Sequence, residues 1–243
     1  MHVLAQYAPM GGLGYYVVIG LTALLSFAAS AMLKRKFNEY AQVPMPVSGA
    51  EVAEMMLRQN GITDVRVVSV QGHLTDHYDP TNKTVNLSDY VYGGYSVAAA
   101  AVAAHECGHA VQHQQAYAWL GLRSKLVPLV NISSNLSSIV LMIGLGMAAV
   151  SQWHNTSVFL IGVLLFSVTT LFAFVTLPVE FDASRRALAW IDRSGIGSSM
   201  EHRQAKSALF WAAMTYVVAA LGSLAQLLYW VMLLFGNRRQ NEE

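Results

Sequence analysis

The sequence carries His105-Glu106-Cys107-Gly108-His109, a His-Glu-x-x-His pattern. On an α-helix, residues four apart lie about 40° from eclipsed and one turn apart. The imidazoles of His105 and His109 can therefore converge on one ion, as tetrahedral zinc with nitrogen ligands at about 2.0–2.1 Å requires. Glu106 sits about 100° round from His105 and can reach a water beside the metal instead. Zinc lowers the pKa of such a water to about 7. A neighbouring carboxylate then accepts its proton as the oxygen attacks a carbonyl. The expected chemistry is hydrolysis of a peptide bond, with Zn2+ as cofactor, His105 and His109 as ligands and Glu106 as base.

A third ligand is needed. A histidine six residues past His109 would complete a metzincin pattern, but Gln115 stands there and Gln112 occupies the glycine position. His113 is another turn along the stripe, too far from His105 to share its ion; a solvated role, or one bonded to the ligands from behind, suits it better. Glu180 is the outstanding distant candidate. It follows Pro178, where an apolar stretch ends, and the run Glu180 to Leu188 is expected to start a helix that lies beside the first. The competing account is a glutamate favoured at a helix N-terminus by the macrodipole.

These residues must be positioned by a chain of two materials. Of 243 residues only 12% are charged and 54% are hydrophobic. Residues 1–33, 126–179 and 207–237, 118 in all, contain no Asp, Glu, Lys or Arg. The other 125 hold all 29 charges, an ordinary soluble density. A plain soluble globule and a disordered chain are excluded. So is a nucleic-acid binder relying on a basic surface, since the net charge is +1. One cysteine excludes an intrachain disulfide.

A bilayer core about 30 Å thick needs roughly 20 apolar helical residues. Four windows qualify: about 13–33, 127–150, 157–177 and 209–235. The polar knot from Ser151 to Thr156 makes the middle pair a helical hairpin. Lys34-Arg35-Lys36 directly follows the first window, as after a retained helix rather than a cleaved leader. Ten bases (Lys34, Arg35, Lys36, Arg123, Lys125, Arg185, Arg186, Arg193, Arg203, Lys206) fall on one side, and Arg238 and Arg239 on the other. The charged segments 34–125 and 178–207 are therefore expected in the cytoplasm, with both termini outside. Asn131, Ser133, Ser134, Asn135, Ser137 and Ser138 crowd the second lipid helix and suggest interhelical hydrogen bonds or a polar substrate groove, and Gly144 and Gly146 suggest close packing.

Within 34–125, Ser48-Gly49-Ala50-Glu51 fits a capping box and Gly61 a C′ position, so 49–60 should be helical. Val65 to Val70, Leu74 to Tyr78 and Thr84 to Leu87 should be strands, with a turn at 79–83. Ser96 should cap an alanine-rich helix running to about Tyr117, which carries the His-Glu-x-x-His pattern. The fold class is α+β: four transmembrane helices with a small zincin-like catalytic domain. The expected division is 1–33 as first span, 34–125 as zincin-like domain, 126–179 as hairpin, 180–207 completing the catalytic domain, and 208–243 as fourth span and tail.

Three stretches carry a resemblance: Gly72-His73-Leu74-Thr75-Asp76-His77-Tyr78-Asp79-Pro80, Val102 to Gln112, and Leu177-Pro178-Val179-Glu180-Phe181-Asp182-Ala183-Ser184. Over nearly its whole length the chain resembles the YugP-type neutral zinc metallopeptidase family of bacterial membranes. More distantly it is similar to HtpX-type and CAAX prenyl membrane proteases, where two membrane helices also separate the histidine pair from a glutamate ligand. The resemblance implies a gluzincin-like peptidase of the bacterial plasma membrane, with His105, His109 and Glu180 on zinc and Glu106 as base. In the distant relatives an Asp four residues past the ligand glutamate steadies a histidine. Here that position is Ser184, while Asp182 lies two residues on and on a different helical face.

Other polar residues are weaker candidates. Zincin sites bind an extended peptide along an edge strand, for which 74–78 is the candidate. His77, Tyr78, Tyr90, Tyr92, Arg185 or His202 could stabilise a developing oxyanion. Cys107 points away from the ligand face and reads as a packing residue. The partners expected are a peptide or protein substrate and the lipid bilayer. Two rivals are an intramembrane, site-2-type protease, which would want the motif inside a lipid helix, and a non-enzymatic scaffold holding zinc in a closed four-ligand site.

Overall fold

The computed structural model describes residues 2–72 and 74–239, with side chains described from residue 14 to 236 except at 73. His73 and the tail 240–243 lie outside the described residues, as do the side chains of Arg238 and Arg239. The elements run α1 (His2–Tyr40), α2 (Gly49–Gln59), β1 (Arg66–Val70), β2 (His77–Asp79), β3 (Thr84–Ser88), α3 (Asp89–Tyr92), α4 (Val97–Gln114), α5 (Ala118–Val150), α6 (Ser157–Ser194) and α7 (Ser199–Arg239). The molecule is mostly helical with one small sheet. Among the described residues four helices, α1, α5, α6 and α7, are long and apolar enough to cross a membrane.

The chain forms two compact units. One comprises Met1–Phe27, Leu122–Val175 and Tyr216–Glu243. Its buried core gathers Leu141, Phe159, Val163, Trp230 and Leu234. Close packing of the hairpin holds at Gly144, where a Cβ would lie 2.4 Å from the Phe159 backbone, and not at Gly146, which faces open space. Among the described residues Ser133, Ser134, Ser137 and Ser138 do not make the expected interhelical bonds. Ser134 Oγ, Ser137 Oγ and Asn135 Nδ2 all donate to carbonyls of α5 itself, because a short side chain on a helix meets its own preceding turn first.

The other unit comprises Ala28–Gly121 and Thr176–Thr215. Ser48 caps α2 in a full capping box with Glu51, and Gly61 follows in the left-handed conformation at φ +71°. The sheet order is β1-β3-β2, with β1 parallel and β2 antiparallel to the central β3. Tyr78 sits opposite Val85, flanked by the His77–Asn86 and Asp79–Thr84 pairs. The turn after β2 is stapled by Asp79, whose carboxylate accepts from the backbone N–H groups of Thr81 and Asn82 and from Asn82 Nδ2. These bonds, that from the Asn82 side chain first, hold the Asp79 carboxyl below its ordinary pKa.

Two expectations need correction. The strand drawn from Leu74 begins only at His77. Leu74 adopts φ +59°, and Asp76 is turned to accept from Ser88 N and Oγ, so the chain is not extended before His77. The apolar helix does not end at Pro178, and Glu180 starts no new helix: α6 runs unbroken from Ser157 to Ser194 with Pro178 inside. A proline removes one N–H and usually kinks a helix, yet α6 continues through Pro178 without a break. The helix-N-terminus account of Glu180 falls with this.

Candidate metal centre

The centre is built from α4 and the part of α6 from Thr176 onward, both within the second unit. Ser96 caps α4 by accepting from Ala99 N. Alanines 98–101, 103 and 104 give that helix a surface almost without side-chain bulk, and most of it is buried. Close approach follows: a Cβ on Gly108 would lie 2.6 Å from the Ala183 carbonyl oxygen on α6. This contact brings the histidines of one helix to the glutamate of the other.

His105, His109 and Glu180 each present a ligand atom, all within 4.8 Å of one another. Glu180 Oε2 stands 3.3 Å from His105 Nε2 and 3.8 Å from His109 Nε2. A tetrahedron with metal–ligand bonds of 2.0–2.1 Å has edges of about 3.3 Å, so these spacings fit zinc better than a direct N–H···O bond of about 2.9 Å. The two imidazoles are 4.8 Å apart and nearly perpendicular, and Glu180 and His109 are buried. Two nitrogens and one oxygen form a donor set suited to zinc with a position left for a reactant.

Each imidazole is also held from behind. Ser184 Oγ lies 3.1 Å from His105 Nδ1. Gln112 Oε1 lies 3.0 Å from His109 Nδ1. Gln112 Nε2 donates to the Val179 carbonyl and to Asp182 Oδ2. The amide orientation is thereby fixed, His109 Nδ1 must carry the hydrogen, and Nε2 keeps its lone pair toward Glu180. Asp182 in turn accepts from Arg185 and Arg186, and Arg186 also donates to Gln115. Asp182 thus acts through Gln112, not directly on a histidine.

Burial by itself would lower the His109 pKa, but the facing Glu180 carboxylate and the charge of Glu106 outweigh it and hold the imidazole above its ordinary value. A proton and a metal ion would compete for His109 Nε2, so the affinity for zinc should fall as the pH drops.

Glu106 is buried beside the ligands, and its Oε2 accepts from the backbone N–H of Tyr78 at 3.0 Å. The Tyr78 hydroxyl pairs with His113 Nδ1 at 2.9 Å, and burial raises the phenol's pKa. His113 is therefore engaged by β2 and not by the ligand cluster.

Other sequence candidates are placed elsewhere. His77 is exposed, with Nδ1 2.7 Å from the Thr75 carbonyl oxygen and Nε2 3.2 Å from Asn86 Nδ2. Arg185 is committed to Asp182. His202 lies in the first turn of α7 and takes no part in the cluster among the described residues. Tyr90 is exposed near Phe37, and Tyr92 packs on the core. Cys107 is fully buried against the Ala53 carbonyl, and burial pushes its thiol pKa well up.

Gln112 was missed as a supporting group, although it stands one turn past His109 as a fully buried amide on an alanine-rich helix. Gln112→Leu should leave His109 without its acceptor and weaken zinc binding by about 10- to 100-fold. Competition with a chromogenic chelator measures this; unchanged affinity would remove the role.

A family model described as "Putative neutral zinc metallopeptidase" matches residues 15–235. The chain is 41% identical over 229 residues to "Putative membrane protease YugP" of Bacillus subtilis (strain 168), covering 93% of this chain and 99% of that protein. No solved structure matches. With four membrane-competent helices in a chain so similar to a membrane protease, this is an integral membrane protein. The chain belongs to the neutral zinc metallopeptidase family that the model describes.

Proposed function

We infer that the chain is a membrane-anchored zinc endopeptidase of gluzincin type, with His105, His109 and Glu180 as zinc ligands and Glu106 as general base. The convergence of those three donors from two helices, with both Nδ1 atoms engaged from behind, carries this reading. When bound, zinc would supply a Lewis acid that makes water nucleophilic near neutral pH and polarises the scissile carbonyl. Glu106 takes the proton released as the carbonyl is attacked and returns it to the leaving amine. The Tyr78 N–H holds that carboxylate in place. β2, an edge strand touching the site through Tyr78, is suited to align an extended peptide. The excess of flanking bases supports an orientation with 34–125 and 178–207 in the cytoplasm and both termini outside.

The motif helix α4 is not among the membrane-competent helices, which favours this reading over a site-2-type protease. Three protein donors among the described residues favour it over a closed structural site, which takes four. Purified protein should hold about one zinc per chain by elemental analysis, and His109→Ala should lose it. A chelator should stop hydrolysis of an unfolded test protein, and added zinc should restore it. Zinc retained after His109→Ala, or hydrolysis indifferent to chelation, would overturn the assignment.

A further inference from the structure

Helix α5 carries a polar stripe on its outside. Asn131, Ser134, Asn135 and Ser138 are all exposed, and their spacing of three, one and three residues puts them within about 100° of one face. The last charge before them is Lys125. At 1.5 Å per residue the stripe begins about 9 Å beyond that charge and ends about 20 Å beyond it, within a hydrocarbon core about 30 Å thick. Its internal bonds are few. Asn135 Nδ2 and Ser134 Oγ donate to the Asn131 carbonyl. Among the described residues the Asn131 carboxamide and the Ser138 hydroxyl make no side-chain hydrogen bond, and Asn135 Oδ1 accepts none.

Carboxamides facing lipid have no water to bond, and polar side chains at that depth normally pair across helices. The same helix continues outward to exposed Met142, which borders a cavity of about 420 Å³ lined also by Ile143, Gly146, Met147 and Val150.

We propose that this stripe is the contact face of a homodimer, in which α5 of one copy lies parallel to α5 of a second. A dimer axis along the membrane normal sets the two stripes at equal depth. A carboxamide is both donor and acceptor, so Asn131 and Asn135 are complementary to themselves, and a symmetric pair uses one patch twice. The small Ser134 and Ser138 allow close approach. A face reserved for a passing substrate helix would leave both carboxamides in lipid between turnovers; a constant partner does not. The Met142 cavity gives the partner's side chains room where the polar stripe ends.

The buried Cys107 is the one native thiol, so an introduced cysteine reports alone. In native membranes treated with copper phenanthroline, Asn135→Cys should cross-link to a product of twice the chain mass. Leu136→Cys, exposed about 100° round the helix from Asn135, should not. In nanodiscs wild type should weigh as two chains, and Asn131→Leu/Asn135→Leu as one with its zinc retained. Equal cross-linking at both positions, cross-linking to a different protein, or a wild type that weighs as one chain would overturn the proposal.

Discussion

Glu106→Gln should reduce hydrolysis of an unfolded protein substrate by about 10²- to 10⁴-fold while the protein still carries about one zinc. The substitution separates two properties of this side chain. Gln Oε1 can still accept from the Tyr78 N–H, as the Glu106 carboxylate does at 3.0 Å, so β2 and α4 stay joined. What an amide cannot do is take a proton from water near neutral pH. Since the groups placed to hold a metal among the described residues are His105, His109 and Glu180, metal content should be indifferent to the change. Initial rates beside elemental analysis of the same preparation make the measurement. Full activity with zinc in place would show that another group takes the proton. Lost zinc would show that Glu106 belongs to the ligand set.

Gly108→Ala should lower both the melting temperature and the zinc affinity, against the helix-propensity trend. In a helix interior alanine is favoured over glycine by about 1 kcal/mol, so propensity alone predicts a more stable protein. At this position the new Cβ would meet the Ala183 carbonyl oxygen at 2.6 Å and the Ala183 Cα and carbonyl carbon at 3.1 Å. Backbone atoms in the middle of a helix cannot swing aside as a side chain would, so α4 and α6 must part. Overpacking of this kind costs about 1–3 kcal/mol, which exceeds the propensity gain. The same displacement moves His105 and His109 away from Glu180 and Ser184, and zinc binding should weaken by at least the 10- to 100-fold typical of lost ligand support. Gly121→Ala, where nothing lies within 4 Å, is the control and should be neutral or mildly stabilising. Thermal unfolding and chelator competition on both variants decide it; a Gly108→Ala protein as stable and zinc-tight as wild type would refute the close approach.

The parts of the fold and site that were legible share one property: they are local or periodic. The spacing of His105 and His109 is a helical period, the box at Ser48 and Glu51 spans a single turn, and the cap at Ser96 precedes its own helix. Glu180 was reached by a longer argument, the return of an apolar hairpin to the side it left, and the structure brings it to the histidines although Pro178 proved no boundary. What could not be read depends on which distant groups meet. Gln112 has a partner in Asp182, 70 residues away, and nothing in its own neighbourhood announces that. The alternation that drew a strand from Leu74 could not register the pull of Asp76 toward Ser88. The α5 serines looked like glue between helices, but a hydroxyl's reach to its own helix carbonyls is invisible in composition.

The pairing of β2 with β3 has a consequence beyond the sheet. Alternate N–H groups of a strand face opposite edges, and Tyr78, opposite Val85, turns its own away from β3 to Glu106. A slip of one residue would send that N–H into the ladder and leave the carboxylate facing a neighbour's side of the pleat. The turn stapled by Asp79 therefore works as a gauge block: the four residues between Asp79 and Thr84 set the register of β2, and with it which N–H reaches Glu106.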